Sequence, residues 1–139
     1  EWLAHGPTWR QTIAMLLDEK EHLTDNRTFD VLTESALIAP GHWPAEVGNA
    51  LLMNVRRGRL SIERLHAMVE RLAVFRVAIQ HPPQAAEIES RLLRALKNGL
   101  TYYDALYVEL AVDHDASLFS LDEQMRQAAA QKGVSVLPA

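Results

Sequence analysis

The sequence predicts an α/β domain with a mainly parallel β-sheet covered by helices on both faces. Short apolar or β-branched segments alternate with helical segments along the chain, which is the pattern of βαβ units. The chain has 139 residues, of which 48% are hydrophobic and 23% charged, and this suits a single globular domain over 1–139. No internal repeat, linker or low-complexity tract divides it.

The N-terminal third is predicted to contain two helices and one strand. Apolar residues recur at helical spacing over 12–20, and Thr24 or Asp25 can cap a second helix. The apolar run over 36–39, which ends before Pro40, predicts a short buried strand.

The middle of the chain is predicted to alternate between helix and strand. A proline at the first helical position and a glycine beyond the last predict a helix over 44–57. A serine cap predicts the next helix over 61–72. A β-branched strand is then predicted over 74–79, followed by a helix over 83–97.

The last third repeats this alternation. We expect a helix over 101–112, a strand over 117–120, a helix over 121–131 that Gly133 closes, and a strand over 134–137. Because strand and helix alternate, the strands are expected to be parallel and buried.

Three acidic residues that are far apart in sequence each lie in the first turn of a predicted helix: Glu46, Asp104 and Asp122. In an open α/β sheet the helix starts cluster beyond the carboxyl ends of the strands, so these side chains can converge. Carboxylates that are close together repel one another, and a hard divalent cation is the usual reason to tolerate this. We therefore expect one shared metal site.

Helix capping is the competing explanation for the same acids. The pairs Thr101 with Asp104 and Ser120 with Glu123 both fit the capping box, in which a hydroxyl caps the helix and an acid three residues later bonds back. Acids also favour helix N-termini because of the macrodipole. Glu123 occupies the box position of the last helix, which leaves Asp122 to point elsewhere.

Further candidates surround the three acids. Ser120 either caps a helix or bonds a metal-bound water or a phosphate, and Asn49, one turn after Glu46, can orient that carboxylate. An arginine cluster either complements the dipole at a helix C-terminus or binds RNA phosphates. Its members are Arg56, Arg57 and Arg59.

Composition limits the other possibilities. The chain has no Cys, which excludes disulfides, thiolate metal sites and cysteine nucleophiles, and this is compatible with the cytoplasm. The six His residues show no zinc-helix spacing. No apolar run is long enough to span a bilayer, and the net charge of −4 argues against a general nucleic-acid coat protein.

From residue 36 to 137 the chain resembles the PIN-domain ribonucleases of the VapC toxin type. The order and spacing of several segments carry the resemblance: 37–40, 43–51, 56–61, 100–107, 118–122 and 133–137. It implies a PIN-like three-layer α/β/α sandwich, usually a homodimer. It also implies that carboxylates bind Mg²⁺ or Mn²⁺, that RNA is the substrate and that a small antitoxin is the inhibitor. An apolar stripe is then either core or a dimer or antitoxin groove: Leu65, Met68, Val69 and Leu72.

The N-terminus departs from the family pattern. Proteins of this type open with a strand that ends in a metal-binding Asp, which falls near Thr8 here, but the first Asp of this chain is Asp18. Residues 1–11 are therefore atypical, 1–7 lack the apolar run of a central strand, and Asp18 or Glu19 can compensate only from a helix end. Two functions remain. One is a metal-dependent endoribonuclease toxin, and the other is a catalytically impaired PIN-like module that retains dimerisation and antitoxin or partner binding.

Overall fold

A computed structural model describes residues 7–9, 36–120 and 122–137. The two helices predicted over 12–20 and after Asp25 lie outside these ranges, and so do Asp18 and Glu19. Within the described ranges, no helix is long and apolar enough to cross a membrane.

The described residues form a five-stranded sheet in the order β3-β2-β1-β4-β5, in which every pair is parallel. This confirms the predicted α/β class. The strands are β1 Pro7–Trp9, β2 Leu37–Ala39, β3 Val77–Ile79, β4 Ser117–Phe119 and β5 Val136–Leu137.

The N-terminal segment supplies the central strand, although residues 1–7 lack the apolar run that such a strand usually has. In β1, Thr8 is in register with Ile38 of β2 on one side and with Leu118 of β4 on the other. The strand has only three residues, so no long apolar run is needed. Pro7 is its first residue, where a missing N–H disturbs the ladder least.

Five α-helices and one 3₁₀ turn pack around this sheet in the described part of the chain. They are α1 Trp43–Arg56, α2 Ile62–Val74, the 3₁₀ turn Ala85–Glu87, α3 Ile88–Asn98, α4 Tyr102–Asp113 and α5 Glu123–Gln131. The predicted serine cap of α2 is confirmed. Ser61 accepts a hydrogen bond from the Arg64 N–H, and Gly99 ends α3 in the left-handed region with φ of 66°.

Two predicted elements begin three or more residues later than expected. The strand predicted over 74–79 is shorter, because α2 continues to Val74 and β3 begins at Val77. The helix predicted over 83–97 begins as α3 only at Ile88. A capping box between Gln84 and Glu87 first forms the 3₁₀ turn, so local hydrogen bonding delays the α-helix.

Among the described elements, helix α4 is the central one, packed against α3, α5, β1 and β4. Its residues 104–109 are therefore all buried, including Tyr107, which has no exposed surface. Most of the predicted apolar stripe on α2 also packs on the core, whereas Val69 is exposed.

Candidate functional site

Glu46 lies in the first turn of α1, and its carboxylate contacts α4. The Tyr107 hydroxyl donates a 2.5 Å hydrogen bond to Glu46 Oε1, across 61 positions of sequence. The imidazole of His42 also lies beside this contact. Its Nε2 is 3.6 Å from Glu46 Oε1, and its ring packs edge-on against Tyr107 with centroids 5.1 Å apart.

Asp104 lies in the first turn of α4, three residues before Tyr107, and is buried. Thr101 Oγ1 accepts a 3.0 Å hydrogen bond from the Asp104 N–H, so the predicted Thr101 cap is confirmed. Residues three apart lie on the same side of a helix. The Tyr107 bond therefore brings Glu46 close to the helix face that carries Asp104.

Asp122 is itself the N-cap of α5, which corrects the interpretation that Ser120 caps this helix. Asp122 Oδ1 accepts a 3.0 Å hydrogen bond from the Met125 N–H. Ser120 Oγ instead accepts from the Asp122 N–H at 3.1 Å, and this tight turn moves the helix start to Glu123. One Asp122 oxygen is thus committed to its own helix.

Ser120 is fully buried just beyond the end of β4. Its N–H donates to the Leu137 carbonyl at 2.9 Å, and its carbonyl accepts from Arg126 Nη1 at 2.8 Å. These bonds extend the sheet by one residue and fix the turn that carries Asp122.

The three acids lie in or next to the first turns of three different helices. Strand β2 leads into α1 and Glu46, β4 leads into Ser120 and Asp122, and α4 packs against the central strand β1. Carboxylate oxygens are the donors that Mg²⁺ and Mn²⁺ prefer, so the residues suit a divalent cation in kind. However, no three acidic or histidine side chains of 36–120 and 122–137 come close enough together to hold a metal ion. A shared ion therefore stays a prediction.

The structure does not place Asn49 or the arginine cluster beside Glu46 in the way their predicted roles would require. Asn49 is exposed and makes no hydrogen bond to Glu46, although both residues are described. Glu46 instead accepts a hydrogen bond from Tyr107, a residue that the sequence did not single out. The arginine cluster is exposed at the end of α1, where Gly58 adopts φ of 73°. With a rise of 1.5 Å per residue, Arg56 lies roughly 15 Å along the helix axis from Glu46, so any phosphate it binds is not the one beside Glu46.

A charged network joins the start of α3 to α4. Arg91 lies 3.3 Å from Glu87 and 2.8 Å from Glu109. Burial alone would lower the pKa of Arg91, but the Glu87 hydrogen bond and the Glu109 charge outweigh burial and raise it. The Gln84 backbone hydrogen bond, together with Arg91, lowers the pKa of Glu87.

Comparison with known proteins agrees with this fold. The PIN domain family model matches residues 12–131, and the chain belongs to this family. It is of the VapC type, because it is 33% identical over 99 residues to ribonuclease VapC1 of Mycobacterium tuberculosis, covering 70% of this chain and 71% of that protein. Ribonuclease VapC3 of Pyrobaculum aerophilum is 37% identical over 82 residues.

The match to VapC3 covers 59% of this chain and spans 63% of the length of that relative. Among solved structures, the crystal structure of PAE2754 from Pyrobaculum aerophilum is similar, with a TM-score of 0.54 and 28% sequence identity. That likeness covers 73% of this chain and 66% of the other.

Proposed function

We propose that this protein is a metal-dependent endoribonuclease toxin of a toxin–antitoxin pair, which hydrolyses RNA phosphodiesters in the cytoplasm. The observation that carries the proposal is the bond from Tyr107 to Glu46, which joins the first turn of α1 to α4, the helix whose first turn carries Asp104. Relatives named ribonuclease VapC support the same class of activity.

Glu46, Asp104 and Asp122 are the residues that would hold Mg²⁺ or Mn²⁺ through their carboxylate oxygens. When bound, such an ion activates a water molecule and neutralises charge on the phosphate. The protein's own contribution is orientation: Tyr107 holds Glu46, and the Ser120 turn holds Asp122. The exposed Arg56, Arg57 and Arg59 would bind phosphates farther along the RNA.

A second candidate function is a catalytically impaired PIN-like module, and the composition of β1 favours it. The central strand reads Pro7-Thr8-Trp9 and contains no acid. Losing one carboxylate from a set of four removes both a ligand and a negative charge, so cation affinity should fall. We therefore expect weak metal binding and little cleavage by the unaltered chain, and stronger Mn²⁺ binding and cleavage by Thr8→Asp.

An RNA cleavage assay separates the two functions. Total RNA is incubated with Mn²⁺ and the unaltered chain, Thr8→Asp, Glu46→Gln, or the double variant. Cleavage by the unaltered chain that Glu46→Gln and EDTA abolish would support the enzyme. Cleavage only by Thr8→Asp would support the impaired module. If Glu46→Gln cleaves RNA as well as its parent does, Glu46 is neither a metal ligand nor a catalytic residue.

We also propose a homodimer, supported by an apolar groove of about 570 Å³ between α3 and α4. Ile88, Leu92 and Leu96 line it and are exposed, Leu96 with 73% of its surface. Exposed apolar patches of this kind mark interaction sites. Light scattering should show a dimer that Leu96→Glu dissociates and that Val69→Glu, a matched change outside the groove, leaves intact. A monomeric unaltered chain would contradict the proposal, and an antitoxin would then be the better candidate for the groove.

A further inference from the structure

The side chain of Tyr107 is held in place by the core, and this sets the position of its hydroxyl. Its ring has no exposed surface and belongs to the core cluster that contains Leu118 and Met125, while His42 packs against its edge. Close packing holds a buried ring of this kind in one rotamer. The oxygen at its end therefore has one position relative to α4.

The Glu46 carboxylate, in contrast, ends a flexible side chain of which 28% is exposed. A glutamate side chain loses much rotamer freedom when it is ordered. Its hydrogen bond from Tyr107 is 2.5 Å long, at the short end of the range for a hydroxyl that donates to an ionised carboxylate. The bond thus holds a charged group in place before any ligand binds.

We propose that Tyr107 is a positioning residue that fixes the Glu46 carboxylate in the orientation required for divalent-cation binding. The inference rests on the proposed metal-dependent function. Tyr107 acts through Glu46 and is not itself a ligand. Hydrogen-bond partners of metal ligands typically change metal affinity by about 10-fold to 100-fold, so the effect is measurable.

A purely structural role for the same bond predicts a different result. A buried tyrosine hydroxyl needs a hydrogen-bond partner, and Glu46 supplies one. If that were the whole role, removing the hydroxyl would change the melting temperature and leave cation affinity unaltered. Cation affinity measured without RNA is therefore the readout that separates the two roles.

The test is a calorimetric Mn²⁺ titration of the full chain carrying Tyr107→Phe. Because the unaltered chain is expected to bind weakly, each titration is also made in the Thr8→Asp background. We expect Tyr107→Phe to raise the Kd for Mn²⁺ by about tenfold or more. Its melting temperature in EDTA, measured in parallel, gives the structural contribution of the same bond separately.

Tyr103→Phe is the matched control, since it removes a hydroxyl from the same helix about one turn earlier. In the described part of the chain that hydroxyl makes no hydrogen bond, whereas its ring packs beside His42. We expect this variant to leave the Kd for Mn²⁺ unchanged. In a Glu46→Gln background, Tyr107→Phe should have no further effect, because the carboxylate that it positions is gone.

The outcomes distinguish the inference from the function on which it rests. If Glu46→Gln weakens Mn²⁺ binding and Tyr107→Phe does not, the positioning role is overturned and the metal-dependent function stands. If neither the unaltered chain nor Thr8→Asp binds Mn²⁺ at millimolar concentration, metal dependence is overturned and the positioning role falls with it. If Tyr107→Phe unfolds, Glu46→Asp tests the contact from its other side by withdrawing the carboxylate one methylene from the hydroxyl. Mn²⁺ binding by Glu46→Asp as tight as the parent's would overturn the inference.

Discussion

Glu109 of α4 bridges two arginines of α3, with its Oε1 at 2.8 Å from Arg91 Nη1 and at 2.8 Å from Arg94 Nη1. The carboxylate is only 9% exposed, and its other oxygen is buried without a hydrogen-bond partner among the described residues. A charge at such a site requires its partners, because an uncompensated buried charge is strongly destabilising. The pair of arginines therefore fixes how α3 sits on α4, and with it the shape of the apolar groove.

The two arginines should differ in their contribution to stability. Arg91 is 23% exposed and Arg94 is 55% exposed, so water screens the second pair more. We expect Arg91→Ala to lower the free energy of unfolding by about 2–3 kcal/mol and Arg94→Ala by about 1 kcal/mol or less. Urea unfolding measures the two free-energy changes, provided that the m-values stay the same. Equal changes for Arg91→Ala and Arg94→Ala would contradict the expected difference between the two ion pairs.

Two substitutions in the first turn of α4 separate the capping role of Thr101 from the proposed metal-binding role of Asp104. Thr101→Ala removes the hydroxyl that accepts from the Asp104 N–H, and should cost about 1 kcal/mol whether or not Mn²⁺ is present. Asp104→Asn removes a negative charge from the site, so the metal-free protein should be nearly unchanged or more stable. It should also lose any rise in melting temperature that Mn²⁺ gives the parent. If Asp104→Asn changes the melting temperature by the same amount with and without Mn²⁺, Asp104 is not a ligand.

Gly41 and Gly48 should respond oppositely to the same substitution. A Cβ on Gly41 would lie 2.7 Å from the Gln80 carbonyl oxygen and 2.8 Å from Pro82, whereas one on Gly48 meets nothing within 4 Å. We expect Gly41→Ala to lower the free energy of unfolding by about 1–3 kcal/mol through overpacking. Gly48→Ala lies inside α1 and should raise it by about 0.5–1 kcal/mol. Thermal melting of the two variants tests these expectations. If Gly41→Ala leaves the stability unchanged, the loop at Gln80 can move away from the new methyl group.

Glu87 should give the protein a pH dependence in the acid range. Its folded-state pKa is lowered, first by the Gln84 backbone N–H and then by Arg91, so the unfolded state binds its proton more readily. Its contribution is therefore fully present above its ordinary pKa of 4.5 and is lost as the pH falls through the lowered value. Melting temperatures between roughly pH 5 and pH 3 should fall more steeply for the parent than for Glu87→Gln. If the melting temperatures of the parent and of Glu87→Gln fall equally with pH, Glu87 does not contribute to the acid dependence.

Local signals in the sequence determined the order and type of most described elements. Ser61 and Thr101 cap α2 and α4 as predicted, and glycines follow α1 and α3 in the left-handed region. These signals work because a cap and the N–H it bonds are only three residues apart, so neighbouring residues suffice to specify them. The alternation of strand and helix likewise predicted the parallel sheet, since only long crossovers join parallel strands.

Only the tertiary structure decided which distant residues meet. Pro7-Thr8-Trp9 becomes the central strand through pairing with β2 and β4, although no apolar run marks that place in the sequence. Asp122 replaces Ser120 as the cap of α5 because the Ser120 hydroxyl closes a tighter turn. The bonds from Tyr107 to Glu46 and from Arg91 to Glu109 join separate helices, so they depend on how those helices pack rather than on any spacing along the chain.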